Sequence, residues 1–210
     1  MQNKEQSIVY SKNVIEFATV AYEFCTLLEN VSRYSKKDFI EVSVKMLPLL
    51  YLKASVLPKL EQRMDDELES FVDEFTYESV RKGIRAKLTR HDDYLEVFKD
   101  DIERSETPVV ANVSEDLADI YQDLRNFCGS YKIGVEDIMN DAVCQVFANF
   151  KDYWGQRLVN TLRALHSVFY GADDLEDEKP AADDAAEPDS GQEAGDPNSW
   201  YAQMLRNRQK

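Results

Sequence analysis

Turn-forming residues are scarce: the 210-residue chain holds 7 Gly and 6 Pro, and several of these fall after Gly171. An all-β fold needs many tight turns, so this scarcity points to helices, which need few breakers. No wholly apolar run is longer than Met46–Leu52, far short of a membrane span. The opening Met1–Ser7 lacks the basic and then apolar regions of a secretory signal. The reading that follows is a soluble, cytoplasmic protein with no membrane partner. Cysteines number three, Cys25, Cys128 and Cys144, with no CxxC pair, which fits buried reduced thiols and not a zinc site. Histidine is scarcer still, at two. A ferritin-like di-iron centre wants Glu-x-x-His on two helices, but Leu88 stands three residues before His91 and Arg163 three before His166. His166 reads as an ordinary mid-helix histidine.

What is present is apolar residues, at 43%, and acid, with a formal net charge of −15. The apolar share is enough for one full core. Residues 171–199 carry eleven acids against the single Lys179, whereas 200–210 carry three bases and no acid. Non-specific nucleic-acid affinity comes from neutralising phosphates, so an acidic body with an acidic tether argues against DNA or RNA as partner.

Helical spacing runs through the body. Val14, Phe17, Ala18, Ala21, Phe24, Cys25 and Leu28 line one face of a helix over about 11–31. Ser35 with Asp38 resembles a capping box that opens a second helix to about Ser55, which Pro48 should kink or break. At least one helix is expected between Val56 and Thr76, on Leu60, Met64, Leu68, Phe71 and Phe75. Thr76 can cap a further helix through Val80, Ile84 and Leu88, continued by Tyr94, Leu95 and Phe98 after a bend at His91-Asp92-Asp93. Residues 105–113 read as a loop. Ser114 opens a helix that Gly129 ends. The longest and central helix is expected from Val135 to Tyr170, across Gly155. No strand alternation stands out. The fold class is all-α, a single bundle of about five to seven helices over residues 1–170.

Two constellations invite chemistry. Arg85 and His91 are separated by five residues, a spacing that resembles the Arg-x(4–6)-His signature of the helical HEPN ribonucleases, and the resemblance implies phosphate binding and proton transfer by that pair. The plainer reading is a basic helix face, Arg81, Lys82, Arg85, Lys87 and Arg90, answering the acidic run from Asp65 to Glu74. Asp66-x-x-Glu69 with Asp73, and Asp93-x-x-Glu96 with Asp100, set carboxylates one helical turn apart, the pattern by which all-α pyrophosphohydrolases hold Mg²⁺ and a nucleoside triphosphate. Such pairs also arise as solvated faces wherever acids are frequent. No Ser-His-Asp set, glycine-rich phosphate loop or Walker motif is present. The residues assign no catalytic group, no metal and no cofactor.

Between Asp173 and Asp196 only Leu175 interrupts Asp, Glu, Ala and other small or polar residues, so 171–199 is expected to stay disordered as an acidic linker. It ends in Trp200-Tyr201-Ala202-Gln203-Met204-Leu205-Arg206-Asn207-Arg208-Gln209-Lys210. Asn198 or Ser199 can cap a short helix there, pairing Trp200 with Met204 and Tyr201 with Leu205, with the bases at its C-terminus where the dipole favours them. Trp200, Tyr201, Met204, Leu205, Arg206 and Arg208 are therefore the candidate partner-binding residues, since Trp, Tyr and Arg dominate interface hot spots. The expected partner is a protein groove, on another molecule or on the chain's own bundle.

The Val14-Ile15-Glu16-Phe17 helix, the Met46-Leu47-Pro48-Leu49-Leu50-Tyr51 segment and Asp152-Tyr153-Trp154-Gly155 together resemble an uncharacterised bacterial all-helical family, a domain of unknown function, over about 13–170. The resemblance implies a helical fold and brings no activity or site residues with it. The function expected from the sequence is that of an interaction or scaffold protein, the enzyme alternatives being the Mg²⁺-dependent pyrophosphohydrolase and the Arg85/His91 nuclease.

Overall fold

Lys12–Glu29 (α1) buries Val14, Phe17, Ala18, Ala21, Phe24, Cys25 and Leu28, the stripe that its three- and four-residue spacing demands. The computed structural model describes residues 7–95, 110–172 and 175. Within them follow Lys36–Ser55 (α2), Glu74–Leu88 (α3), Asp93–Leu95 (β1), Val110–Asn112 (β2), Val113–Ile133 (α4), Glu136–Asn149 (α5) and Gly155–Tyr170 (α6). A π turn, Phe150–Trp154, joins α5 to α6, so the two continue as one rod. Among the described residues the bundle thus has six α-helices, and its regular elements are helical but for one small antiparallel pair of strands.

The first turn of α2 is sealed as its sequence suggests: Ser35 Oγ accepts the Asp38 N–H at 3.1 Å and donates to its carboxylate at 2.7 Å. Pro48 does not break α2, which runs on to Ser55. The proline lies on the exposed face, where the helix carries its missing N–H without burying the loss.

Residues 57–73 form no helix, contrary to the spacing of Leu60, Met64, Leu68, Phe71 and Phe75. Pro58 and a crowd of like charges weaken helix here, and side chains of α4 and α5 take over its backbone donors. Asp141 accepts the Arg63 and Met64 N–H groups at 2.8 and 2.9 Å, and Asn126 those of Phe71 and Val72 at 2.7 and 3.2 Å. Asn140 donates to Glu61 O at 2.7 Å. Leu57 and Val72 are buried near its two ends, and the result is a strap laid over the bundle.

Asp73, not Thr76, caps α3, its carboxylate accepting the Thr76 N–H at 2.8 Å and lying below the usual carboxylate range for that reason. Tyr94 and Leu95 do not continue a helix. They belong to β1, which pairs antiparallel with β2 in the register Asp93 to Asn112, Tyr94 to Ala111 and Leu95 to Val110. The N-terminus of α4 is capped from 22 residues away, because Asp92 accepts both the N–H and the hydroxyl of Ser114, at 2.7 and 2.8 Å. Gly129 does not end α4. It is the site where the Phe71 ring of the strap approaches so closely that a Cβ would overlap it, and the helix ends at Gly134, in the left-handed conformation at φ 77°.

The central helix is α4, not the α5–α6 rod: α4 packs on α1, α3, α5 and α6, while α2 packs on α1 and α6. Trp154, Tyr121, Phe17, Phe24 and Phe39 are among the largest wholly buried side chains. Cys25 and Cys128 are buried thiols and Cys144 is half-buried. Burial, with Cys128 alongside, pushes the Cys25 thiol well up. The expected linker 171–199 and peptide 200–210 lie outside the described residues, save 171, 172 and 175.

Candidate functional site

Three carboxylates share one stripe of α4: Asp116, Asp119 and Asp123, at steps of three and four. Asn149, Tyr153, Arg157 and Thr161 face them from the α5–α6 rod, at steps of four. In a straight α-helix a four-residue step overshoots a full turn by about 40°, so three steps would swing a row about 120° off one face. The π turn at Phe150–Trp154, closed by the Gly155 N–H on Phe150 O, widens the helix at that point and keeps the row facing α4. Gly155 is needed there because a Cβ would overlap that carbonyl and the Phe150 ring.

The two rows form a ladder. Asn149 Nδ2 donates to Asp123 at 2.8 Å, the Tyr153 hydroxyl to Asp119 at 2.7 Å, and Arg157 Nη1 to Asp116 at 2.6 Å while lying 3.3 Å from Asp119. Thr161 and the Tyr94 hydroxyl add further bonds to Asp116, and the Tyr77 hydroxyl donates to Asp119 at 2.8 Å. The Arg157 guanidinium lies over the Tyr153 ring, 4.6 Å from its centroid.

Burial raises Asp116 above the ordinary carboxylate range, against the pull of Tyr94, Arg157 and Thr161. Asp123 is raised by burial too, opposed by Asn149 and reinforced by the charge of Asp119. Tyr153 is pushed up to about 12 by burial and by its bond to Asp119, and Tyr77 moves upward for the same two reasons. These shifts keep both tyrosines as protonated donors. At Asp116 and Asp119 the carboxylate oxygens are consumed by the fold's own donors, which suits a clamp between helices better than proton transfer.

The Asp123 end opens outward. A cavity of about 100 Å³ is lined there by Asp123, Asn126, Ser130, Gln145 and Asn149, and by the strap at Leu68–Ser70. A wider trough of about 560 Å³ adjoins it, sharing Leu68 and Gln145, with Gln62, Asp66, Glu67, Cys144 and Ala148 on its walls. Among the described residues Asp66, Glu67 and Glu69 have no ion pair, whereas the nearby Arg63 is taken by Asp137 at 2.9 Å and Glu136 at 3.9 Å. An irregular segment of this length inside a bundle is uncommon and usually functional.

The residues singled out in the sequence fall elsewhere. Arg85 Nη1 lies 4.0 Å from the Asp92 carboxylate, and His91 is buried with Arg90 Nε 3.4 Å from its Nε2. Arg81 and Lys82 bind Glu78 on their own helix instead of the acidic run, at 2.9 and 3.3 Å, and hold Glu78 down at about 2. Asp66 and Glu69 lie on the strap, so the one-turn spacing assumed for them is absent. Asp93 accepts from Asn112 at 2.6 Å in the hairpin, and Glu96 and Asp100 lie outside the described residues. Among the described residues no three His, Cys, Asp or Glu side chains are grouped to hold a metal ion. His166 lies against Tyr170 on the exposed side of α6, ring centroids 4.7 Å apart. Trp200, Tyr201, Met204, Leu205, Arg206 and Arg208 lie outside the described residues. The ladder itself went unread, although the three- and four-residue steps at 116, 119 and 123 and the four-residue steps at 149, 153, 157 and 161 carry it.

Fold and ladder define an all-helical bundle domain organised around α4. Residues 8–171 match the model of a domain of unknown function, DUF5063, and the chain belongs to that family, the kind of family its sequence resembles. It is similar to the crystal structure of protein BF1032 from Bacteroides fragilis, at 43% identity over 79% of this chain and 98% of that one, with a TM-score of 0.71. No curated protein matches. No helix among the described residues is long and apolar enough to cross a membrane.

Proposed function

We propose that the chain is a cytoplasmic, non-enzymatic interaction protein: the bundle is a rigid platform, and Trp200, Tyr201, Met204, Leu205, Arg206 and Arg208 form its contact peptide for a protein partner. The observation that carries this reading is how the carboxylates divide. Those that are buried or half-buried, Asp92, Asp116, Asp119 and Asp141, bind N–H and O–H groups of the fold. Those on the strap, Asp66, Glu67 and Glu69, are exposed and have no ion pair among the described residues. Chemistry needs a carboxylate positioned and available at once, whereas recognition needs only an exposed one. The pyrophosphohydrolase and nuclease alternatives draw less support, because Asp66 and Glu69 lie on no helix and Arg85 contacts Asp92.

The test is affinity capture from the source cell's lysate with the full chain and with a chain stopped after Asp177. A protein retained by the full chain alone is the expected result. Identical capture by both removes the peptide's role. RNA cleavage lost in His91→Ala, or nucleotide-dependent stabilisation by Mg²⁺, replaces the reading with an enzyme.

A further inference from the structure

The ladder's open end leaves polar groups over once the fold has taken what it needs. Asn149 Nδ2 occupies one oxygen of Asp123, while the second oxygen of that carboxylate and the Asn149 amide oxygen have no hydrogen bond among the described residues. Ser130 stands two turns further along the same stripe of α4, about 10 Å away along the axis. It is 2% exposed, lines the same cavity as Asp123 and makes no side-chain hydrogen bond among the described residues. Buried hydroxyls are nearly always paired, so an unpaired one on a cavity wall marks a place for something the fold does not supply. In the antiparallel hairpin of α4 and α5, the Asn149–Asp123 bond sets Ala142 across from Ser130, with Phe127 and Val146 between the two ends.

The cavity is therefore polar at each end and apolar along its middle, where Leu68 of the strap also lines it. Asn126 holds the strap there by accepting the Phe71 and Val72 N–H groups, so the wall is formed before a ligand arrives. One water needs roughly 10–15 Å³ of such space, and the cavity's volume of about 100 Å³ holds a chain of several heavy atoms. Charge narrows the choice. Asp123 is the half-buried acid on its wall, Glu69 is exposed at its rim, and no Lys, Arg or His lines it among the described residues. One carboxylate below the surface suits one cation, and an anion is repelled. We infer that the cavity binds a small aliphatic amine with a neutral hydrogen-bonding group at its far end, such as a linear amino alcohol: the ammonium donates to Asp123 and Asn149, and the far hydroxyl pairs with Ser130. A four-carbon chain with a hydrogen bond of about 2.8 Å at each end spans the two turns. The ammonium also offsets the burial that raises Asp123, by favouring its charged form. A lysine side chain supplies the ammonium but no second polar end. The site is independent of the contact peptide proposed above.

Titration calorimetry on the full-length protein tests this, with aminobutanol, butylamine, diaminobutane and Mg²⁺ as separate probes against wild type, Asp123→Asn and Ser130→Ala. Asp123→Asn keeps an oxygen for the Asn149 bond, and Ser130→Ala removes a hydroxyl that pairs with nothing in the fold, so both variants should melt no lower than wild type. Aminobutanol is expected to bind wild type once per chain, and Asp123→Asn should weaken it by about tenfold or more, as for a hydrogen bond to a charged group. Ser130→Ala should weaken aminobutanol by about threefold and leave butylamine unchanged, a selectivity that a merely structural serine would not produce. Absence of saturable binding by any amine up to about 10 mM overturns the inference and leaves the cavity to water. So does binding that Asp123→Asn does not weaken, or equal affinity of wild type for aminobutanol and butylamine. Tighter binding of diaminobutane overturns the neutral far end, and tighter binding of Mg²⁺ than of the amines gives the site to a metal.

Discussion

Asp123 is a half-buried carboxylate whose one bond within the ladder comes from Asn149, and its raised pKa makes its charge a liability to the folded state. A carboxylate raised by folding contributes stability that is fully present below its unfolded pKa and is lost as pH rises through its folded one. Asp123→Asn keeps an oxygen to accept from Asn149 and removes the charge. Its melting temperature should exceed that of wild type at pH 7, and the gap should close as pH falls toward 4, which thermal melts across that range would measure. Asp141 has the opposite sign. Burial works against its charge, but the Asn140 amide and the N–H groups of Arg63 and Met64 outweigh it and hold the carboxyl below the usual range. Its contribution is therefore present above the unfolded pKa and lost as pH falls through the folded one. Asp141→Ala leaves two backbone donors unpaired and should cost about 1–3 kcal/mol. Amide exchange at Arg63 and Met64 should quicken more than exchange in α4, and equal acceleration everywhere would refute a local role for Asp141 in fastening the strap.

At the scale of elements, the sequence was legible wherever a segment meets its neighbours through one periodic face. The α1 stripe and the Ser35 cap are local facts, written within a few residues of each other. The strap is not, because Leu60, Met64, Leu68, Phe71 and Phe75 keep helical spacing while the side chains that hold the segment, Asn126 and Asp141 as acceptors and Asn140 as a donor, stand some 50 to 80 residues later. The cap on α4 was obscured for the same reason, since Ser114 is the recipient of a cap from Asp92. Gly129 reads as a helix end until Phe71 is seen lying on it. Gly155 reads as incidental until the π turn gives it a task. Gly155→Ala should therefore cost more than helix propensity alone suggests: alanine favours helix, yet its Cβ meets the Phe150 carbonyl and ring, and about 1–3 kcal/mol of destabilisation is expected in denaturant titrations. A variant as stable as wild type would mean that the row from Asn149 to Thr161 does not depend on the π turn.

Across the whole molecule, the ladder does for α4 and the α5–α6 rod what apolar packing does elsewhere, and Tyr94 brings the hairpin into the same network through Asp116. Arg157 is its one cation among the described residues, bonded to Asp116 and close to Asp119, with a third of its side chain reaching water. Its own pKa is raised, since burial, which disfavours its charge, is outweighed by the Asp116 bond and the Asp119 charge. Arg157→Met preserves the apolar stem and leaves two carboxylates without their counter-charge. Removing one partner of a buried pair costs about 3–5 kcal/mol, and solvent access at Arg157 lowers the expectation to about 2–3 kcal/mol. Combined with Asp116→Asn, the loss should shrink, because the uncompensated charge that makes the single variant costly is gone. Denaturant unfolding of the four species measures that coupling. Full additivity would show that Arg157 and Asp116 act separately and that the clamp is two independent contacts; a coupling of about 1 kcal/mol or more would place helix α4, the rod and the hairpin in one cooperative unit.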